Sequence, residues 1–544
     1  MDIRRVILWI SLSFSILFLW NNWQLENNNS SSSNNVLTEE SASYNLDLSI
    51  PEKPNNLYET ETFNETTNYL AKNSELIIVN SDVLRLTFDT HGAQIIRAEL
   101  LKFPESKDSK PTLLLDQSPN LFYVIQSGII GAPTGLNFPT HLTPFKLKSS
   151  ERELLGNSLD IIFEAESNGL IVTKKFTLYE GSYEIKVSHI LSNIGLNTVF
   201  PALYLQIERD GNEPPGSSRF YSTFTGIALY SEEKKFQKVS FSDIVKHKAD
   251  YIRNTDNGWI AVVQHYFVTS WIPNQKSMRQ NEVLVTNKNK DLFAVRTIER
   301  LDPIGPGSNL KVNSKLWIGP QDQKSLSSVS NGLELVVDYG FLTIIAKPLF
   351  MLMTFLYKIL GNWGWTIVFL TILIKFLFFP LASSGYRSME RMKKLSPRIN
   401  TLKEKYKDDK QKFNSAMMEV YRNEKINPLG GCLPMLVQIP VFISLYWVLL
   451  ASVEMRGAPW ILWISDLSVR DPLFILPTIM ILTMFIQIKL NPKPPDPIQA
   501  KVMMIMPLLF GGMMFFFPAG LVLYWCVNNA LSIAQQWLIV QKFS

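Results

Sequence analysis

The sequence predicts a membrane α-helical core of five spans plus an N-terminal anchor span, carrying a large all-β sandwich domain on the outer side of the membrane. Three observations predict it. Nearly all the long uncharged stretches fall within residues 341–540. Residues 24–335 instead show the regular charges, short alternating runs and Gly/Pro/Asn punctuation of a soluble protein, and a first apolar run follows directly on Arg4 and Arg5. The 544 residues are 46% hydrophobic with a mean hydropathy of +0.05, too apolar for a wholly soluble chain and enough for several domains.

The run from Val6 to Trp20, with Trp23 as an interfacial ring, is expected to be an uncleaved anchor over residues 1–23. A cleaved signal peptide is the other reading. It would want a small-x-small site after the run, where the sequence has Trp20-Asn21-Asn22-Trp23. Residues 24–75 contain an Asn/Ser tract from Asn27 to Asn35 and few large apolar residues, so they are expected to be a flexible linker. Residues 76–338 are expected to form the β-sandwich. In Tyr183–Leu191, for example, alternate residues are apolar or aromatic apart from His189, and similar runs occur at Val83–Phe88, Leu159–Phe163, Leu170–Leu178 and Trp259–Trp271.

Several function classes are disfavoured by composition. A net charge of +5 with no basic patch interleaved with aromatics gives no argument for nucleic acid, so no DNA partner is expected. Cys432 and Cys526 lie about a hundred residues apart in apolar stretches and read as small buried hydrophobes. Five scattered histidines with no Cys/His spacing motif predict no structural metal. No phosphate-binding glycine loop is present, so no nucleotide cofactor is expected.

After the β region come six apolar stretches: Tyr339–Leu360, Trp363–Ser383, Gly430–Ala451, Leu473–Ile488, Val502–Phe517 and Ala519–Val540. Loop charge orients them. Residues 384–425 carry twelve Lys/Arg against six Asp/Glu, whereas residues 453–471 carry two against three, which places the first loop in the cytoplasm. With Arg4 and Arg5 also inside and residues 24–335 outside, the parity closes only if residues 339–360 lie on the outer surface as an amphipathic interfacial helix. Residues 361–544 then form the five-span core, with both termini cytoplasmic. The 384–425 loop has apolar Met389, Met392, Leu395, Ile399 and Leu402 at spacings of three and four, which predicts a cytoplasmic helical hairpin.

Within the core, Lys375 stands alone among apolar neighbours. A charge at mid-span costs about 2.5–3.5 kcal/mol on insertion scales, so it normally faces water or a partner. A lysine snorkelling toward the headgroups is the competing reading. Asn528, Ser532 and Gln535 recur at i, i+4 and i+7 on the last stretch, Gln438 is isolated on another, and Thr371 sits one turn before Lys375. Polar groups on three spans are satisfied either in a shared hydrated cavity or by interhelical hydrogen bonds. Met503, Met504, Met506, Met513 and Met514 offer either an adaptable apolar surface or lipid-facing filler. Arg387, Arg391, Lys393, Lys394, Lys403 and Lys405 on the hairpin either bind an anionic partner or simply fix topology.

Asn362-Trp-Gly-Trp-Thr366, the base at 375 with Pro380, Asn427-Pro-Leu-Gly-Gly-Cys-Leu-Pro434 with Gln438-Ile-Pro440, and Phe517-Pro-Ala-Gly-Leu-Val-Leu-Tyr-Trp525 with Asn528 together resemble the core of the YidC/Oxa/Alb insertases. Leu121–Gly128 and Gly258–Phe267 are similar to the periplasmic domain of its Gram-negative members. The resemblance implies a bacterial inner-membrane insertase, not an enzyme, whose β domain is periplasmic. Its five-helix core would surround a hydrophilic groove open to cytoplasm and lipid but closed to the periplasm. Lys375, Thr371, Gln438, Trp525, Asn528, Ser532 and Gln535 would line that groove, and the methionines would form a hydrophobic slide. Nascent membrane proteins, membrane lipids, the Sec translocon and the ribosome are the implied partners. Two departures stand out. The family's groove base is usually arginine, and lysine loses its planar five-donor fork. The chain ends at Gln541-Lys-Phe-Ser544, so ribosome contact is expected to rest on the hairpin. The competing functions are a transporter or channel binding an anionic solute at Lys375, and a carbohydrate-active β domain, for which no convincing paired-carboxylate arrangement appears.

Overall fold

The computed structural model describes residues 50, 74–105, 110–118, 121–214, 223–287, 289, 291–406, 409–424, 433–491 and 497–543. The expected anchor, nearly all of the expected linker, residues 427–432 of the Asn-Pro-Leu-Gly-Gly-Cys motif, and Ser544 lie outside the described residues. The chain divides into two compact units at Val337 and Asp338.

In the first unit the alternating runs pair into two nine-stranded sheets whose named strands are all antiparallel. One sheet runs in the order β1 (Leu76–Asn80), β2 (Leu84–Asp89), β3 (Gln94–Pro104), β4 (Pro111–Ser118), β5 (Leu121–Ile130), β10 (Ala202–Asp210), β17 (Leu292–Arg300), β16 (Arg279–Asn287), β13 (Asn254–Thr255). The other runs β12 (Lys235–Val239), β11 (Gly226–Ser231), β14 (Trp259–Val263), β15 (Phe267–Ile272), β18 (Asn309–Pro320), β9 (Glu184–Asn193), β8 (Leu170–Tyr179), β7 (Ser158–Ser167), β6 (Lys146–Leu147). The single run expected over residues 259–271 is thus two strands of a hairpin.

The alternation of β8 and β9 buries one face of each, as a half-covered antiparallel sheet requires. Two of its polar exceptions, Lys174 and His189, face each other across the ladder. Both are wholly buried and reach the opposite sheet. Lys174 Nζ donates to Gly92 O and Ser127 O, each at 2.7 Å, and lies over the Phe145 ring, while His189 Nε2 shares a 2.9 Å hydrogen bond with Ser127 Oγ. Gly92 has φ +83°, and a Cβ there would meet His141 O at 2.2 Å, so only glycine lets the backbone approach this closely. Ile50, within the expected linker, is buried against Ile130, Ala202 and Tyr204. Composition suggested no core contact for that segment, but a single isoleucine finds a ready apolar site on the sheet.

The second unit is helical. Helices α1 (Phe241–Val245) and α2 (Gln323–Val329) belong to the β unit, and α3 (Thr343–Leu360) opens the helical one. Helix α3 buries Ala346, Phe350 and Met353 while Ile344, Met351, Phe355 and Ile359 are exposed. Gly361, at φ 66°, ends it. Asn362 then caps α4 (Trp363–Leu377) by accepting the Trp365 N–H at 3.1 Å.

The stretch expected to run unbroken over residues 363–383 bends by 67° after Leu377, where α5 (Phe379–Lys405) starts. Pro380 lies in the first turn of α5, where its missing N–H costs nothing but where it cannot bond back into α4. Helix α5 folds back on α6 (Lys410–Asn423) around Ile399 and Tyr421, flanked by Met392, Leu395, Phe413 and Met417. Arg398 and Glu424 pair across this hairpin at 3.1 Å. The remaining helices are α7 (Leu433–Ala451), α8 (Ile475–Leu490), α9 (Pro497–Met514) and α10 (Ala519–Phe543). Among the described residues, α3 alone is long and apolar enough to cross a membrane by itself. The bent α4–α5 pair passes the same test as one broken span.

Candidate functional site

Helices α4, α7 and α10 bring their isolated polar residues to one place. Lys375 is only 8% exposed, and its ammonium donates to Ser532 Oγ at 2.7 Å and to Gln438 Oε1 at 3.5 Å. Gln438 Nε2 donates to Asn528 Oδ1 at 2.7 Å, Ser532 Oγ to Asn528 O at 2.7 Å, and Gln535 Nε2 to Lys375 O at 3.3 Å. The i, i+4, i+7 stripe on α10 therefore faces the base on α4.

Two residues were invisible to the spacing argument. Tyr524 lies four residues before Asn528 on the same face and is hydrogen-bonded to Gln438. Tyr386, placed by sequence in the basic loop, is hydrogen-bonded to Ser532, because the bend after Leu377 turns the first part of α5 against α10. Only Pro380 signalled that bend.

Two expected residues stand apart. Thr371 is buried, but its hydroxyl donates to Ile367 O of its own helix at 2.7 Å. Trp525, one position round from the polar face, packs in an aromatic cluster with Phe442, Phe510 and Tyr524. Of the methionines, Met504, Met506 and Met513 are exposed and Met503 is half-buried, whereas Met514 is buried where α9 turns toward α10 and its carbonyl accepts the Phe517 N–H. Arg387, Arg391, Lys393, Lys394, Lys403 and Lys405 are all exposed.

Among the described residues no carboxylate pairs with Lys375, and no group of three His/Cys/Asp/Glu is placed to hold a metal ion. An ammonium can donate three hydrogen bonds. Here two go to neutral oxygens, one of them at the distance limit. Such a site keeps its positive charge uncompensated and can bind a carboxylate or a peptide carbonyl.

Residues 355–544 match the family model described as 60Kd inner membrane protein, and residues 76–352 match that of the YidC periplasmic domain. The fold and site thus define an inner-membrane protein with a helical core and a periplasmic domain built of two β-sheets. The chain is 62% identical over 554 residues to the membrane protein insertase YidC of Bordetella parapertussis, covering 100% of this chain and 98% of the relative. It is 46% identical over 552 residues to the insertase of the same name from Cupriavidus taiwanensis, covering 99% and 97%. The chain belongs to the YidC family of membrane protein insertases. Among solved structures, a YidC insertase crystal structure with its first transmembrane domain resolved is similar over 85% of this chain and 92% of that one, at 16% identity and a TM-score of 0.40.

Proposed function

We propose that this insertase receives the short polar outer segment of a client at Lys375, in a hydrophilic groove open to the cytoplasm, and releases the adjoining apolar segment sideways into lipid. The observation that carries the reading is the Lys375 ammonium held by Ser532 and Gln438 without a counter-ion among the described residues. A client carboxylate or carbonyl takes the remaining donor, and Asn528, Gln535, Tyr386 and Tyr524 hold the acceptors in place. Met504, Met506 and Met513 form the slide, whose flexible side chains fit apolar segments of many shapes. Transfer of about 20 apolar residues into lipid supplies the free energy, with no nucleotide required.

In this reading the loop charges set the topology: both termini are cytoplasmic, α3 lies on the periplasmic surface, and five spans follow. The exposed bases of the α5–α6 hairpin meet an anionic partner, the ribosome, while the Sec translocon cooperates at the membrane. Photo-crosslinking of a stalled nascent chain to positions 375, 438 and 528 tests the groove. Crosslinks at these positions support it, and solute flux through the purified protein without crosslinks would favour an anion transporter instead.

A further inference from the structure

At the end of the helical unit remote from Lys375, residues 452–474 form a folded cap. It is internally bonded: Leu467 N–H donates to Ala458 O at 2.9 Å and Trp460 N–H to Ile464 O at 3.0 Å, with Val453, Met455, Ile464 and Leu467 buried. Three helix starts are fastened to it. The first is α4, where Asn362 Nδ2 donates to Pro459 O at 3.0 Å and Trp460 covers Gly364 so closely that a Cβ there would lie 2.2 Å from its ring. The second is α10, where Ala519 N–H donates to Val469 O at 2.7 Å and Gly520 N–H to Leu467 O at 2.9 Å. The third is α8, and it depends on one side chain. Asp471 is 1% exposed. Its Oδ2 accepts the Leu476 N–H at 2.7 Å, while its Oδ1 accepts the Leu473 N–H at 3.0 Å and the Trp463 indole N–H at 2.9 Å. One carboxylate therefore joins the cap's indole to the N-terminus of a helix, where negative charge is favoured.

The depth relation gives this cap a role. Gly364 and Lys375 are eleven residues apart on one helix, or about 16 Å, and Gly520 and Ser532 are twelve apart, about 18 Å. Between the two levels lie Ile367, Leu370 and Ile374 of α4 and Leu521, Val522 and Leu523 of α10, all buried. The family resemblance implies a groove closed toward the periplasm; we propose that residues 452–474 make that closure over the Lys375 site, and that Asp471 is the positioning residue that latches them by binding Trp463 and the α8 N-terminus at once. The inference rests on the groove reading above.

Side-selective labelling tests it in the full chain, with Cys432 and Cys526 replaced by serine and Asn528→Cys as the reporter. With the seal intact, a membrane-impermeant maleimide labels position 528 from the cytoplasmic side and not from the periplasmic side. Absence of cytoplasmic labelling would refute the groove, not the seal. Asp471→Ala strands two backbone donors and the indole, and Gly364→Ala displaces Trp460 by an independent route. Each is expected to raise periplasmic labelling on the order of tenfold or more, with Asp471→Asn intermediate. Trp463→Phe, which removes the indole N–H and leaves the backbone bonds to Asp471 in place, gives the same direction and covers the case in which the harsher variants fail to accumulate. Unchanged periplasmic labelling in the variants that accumulate would overturn the seal, because loosened packing alone does not choose a side.

Discussion

Lys375 Nζ lies 2.7 Å from Ser532 Oγ, joining α4 to α10 through residues 157 apart in sequence. Hydrogen bonds to charged groups contribute about 1.5–3 kcal/mol, which offsets only part of the desolvation of an ammonium in a spanning helix. In the proposed function, a client's negative or carbonyl group relieves the residual cost.

Charge at 375 is therefore expected to matter more than side-chain shape. Lys375→Glu should reduce insertion of a single-span client with an acidic translocated tail on the order of tenfold or more, while Lys375→Arg retains it. Protease protection of the client tail at matched insertase levels measures this. Normal insertion by the glutamate variant would remove charge from the mechanism.

The buried pair in the periplasmic domain makes stability depend on pH. Burial holds the Lys174 amine down from 10.5 to about 7, and burial together with the Lys174 charge holds His189 down from 6.5 to about 3. In each window the unfolded chain binds the extra proton, so stability rises with pH from about 7 to 10.5 through Lys174 and from about 3 to 6.5 through His189. Hydrogen exchange of residues 170–193 in the full-length protein should show protection increasing by on the order of 2 kcal/mol between about pH 7 and 9, and Lys174→Met should flatten that rise. A rise that survives the methionine substitution would place the proton elsewhere.

The α5–α6 hairpin is held by a small core of its own. Ile399→Ala is expected to weaken it by about 2–5 kcal/mol, with Tyr421→Ala comparable. Limited proteolysis should cut within residues 384–424 many-fold faster, while the remaining helical unit stays resistant. Equal cleavage throughout would show that the hairpin does not fold as a separate layer.

The proposed slide rests on the exposed methionines. Met504→Asp and Met506→Asp should lower crosslinking of a client's apolar segment to α9 several-fold, and Met514→Leu, at a buried position, should leave it unchanged. Equal effects at all three positions would mean a general packing defect.

Much of this arrangement was legible because membrane helices expose few polar residues and each one must be satisfied. The α10 stripe and the isolated Gln438 and Lys375 follow from that rule, and the alternation of β8 and β9 follows from strand geometry. The rest depends on placement that spacing does not encode. Trp525 shares a short motif with the polar residues, yet a rotation of about 100° per residue puts Tyr524 on the polar face. Tyr386 was hidden because the bend after Leu377 changes what α5 packs against. His189 broke the β9 alternation for a reason carried on two other elements, Lys174 of β8 and Ser127 of β5. The Asp471 latch joins residues that share no period, and an aspartate before a proline reads from sequence alone as an ordinary turn.

The most direct test places a photo-crosslinker at position 528, beside the Lys375 ammonium, and stalls a nascent single-span client on the ribosome. An insertase with a client-receiving groove gives a crosslink from the polar segment just ahead of the client's apolar stretch, and that crosslink disappears with Lys375→Glu. Crosslinks confined to the lipid-facing side of α9, with position 528 silent at every stalled length, would contradict it.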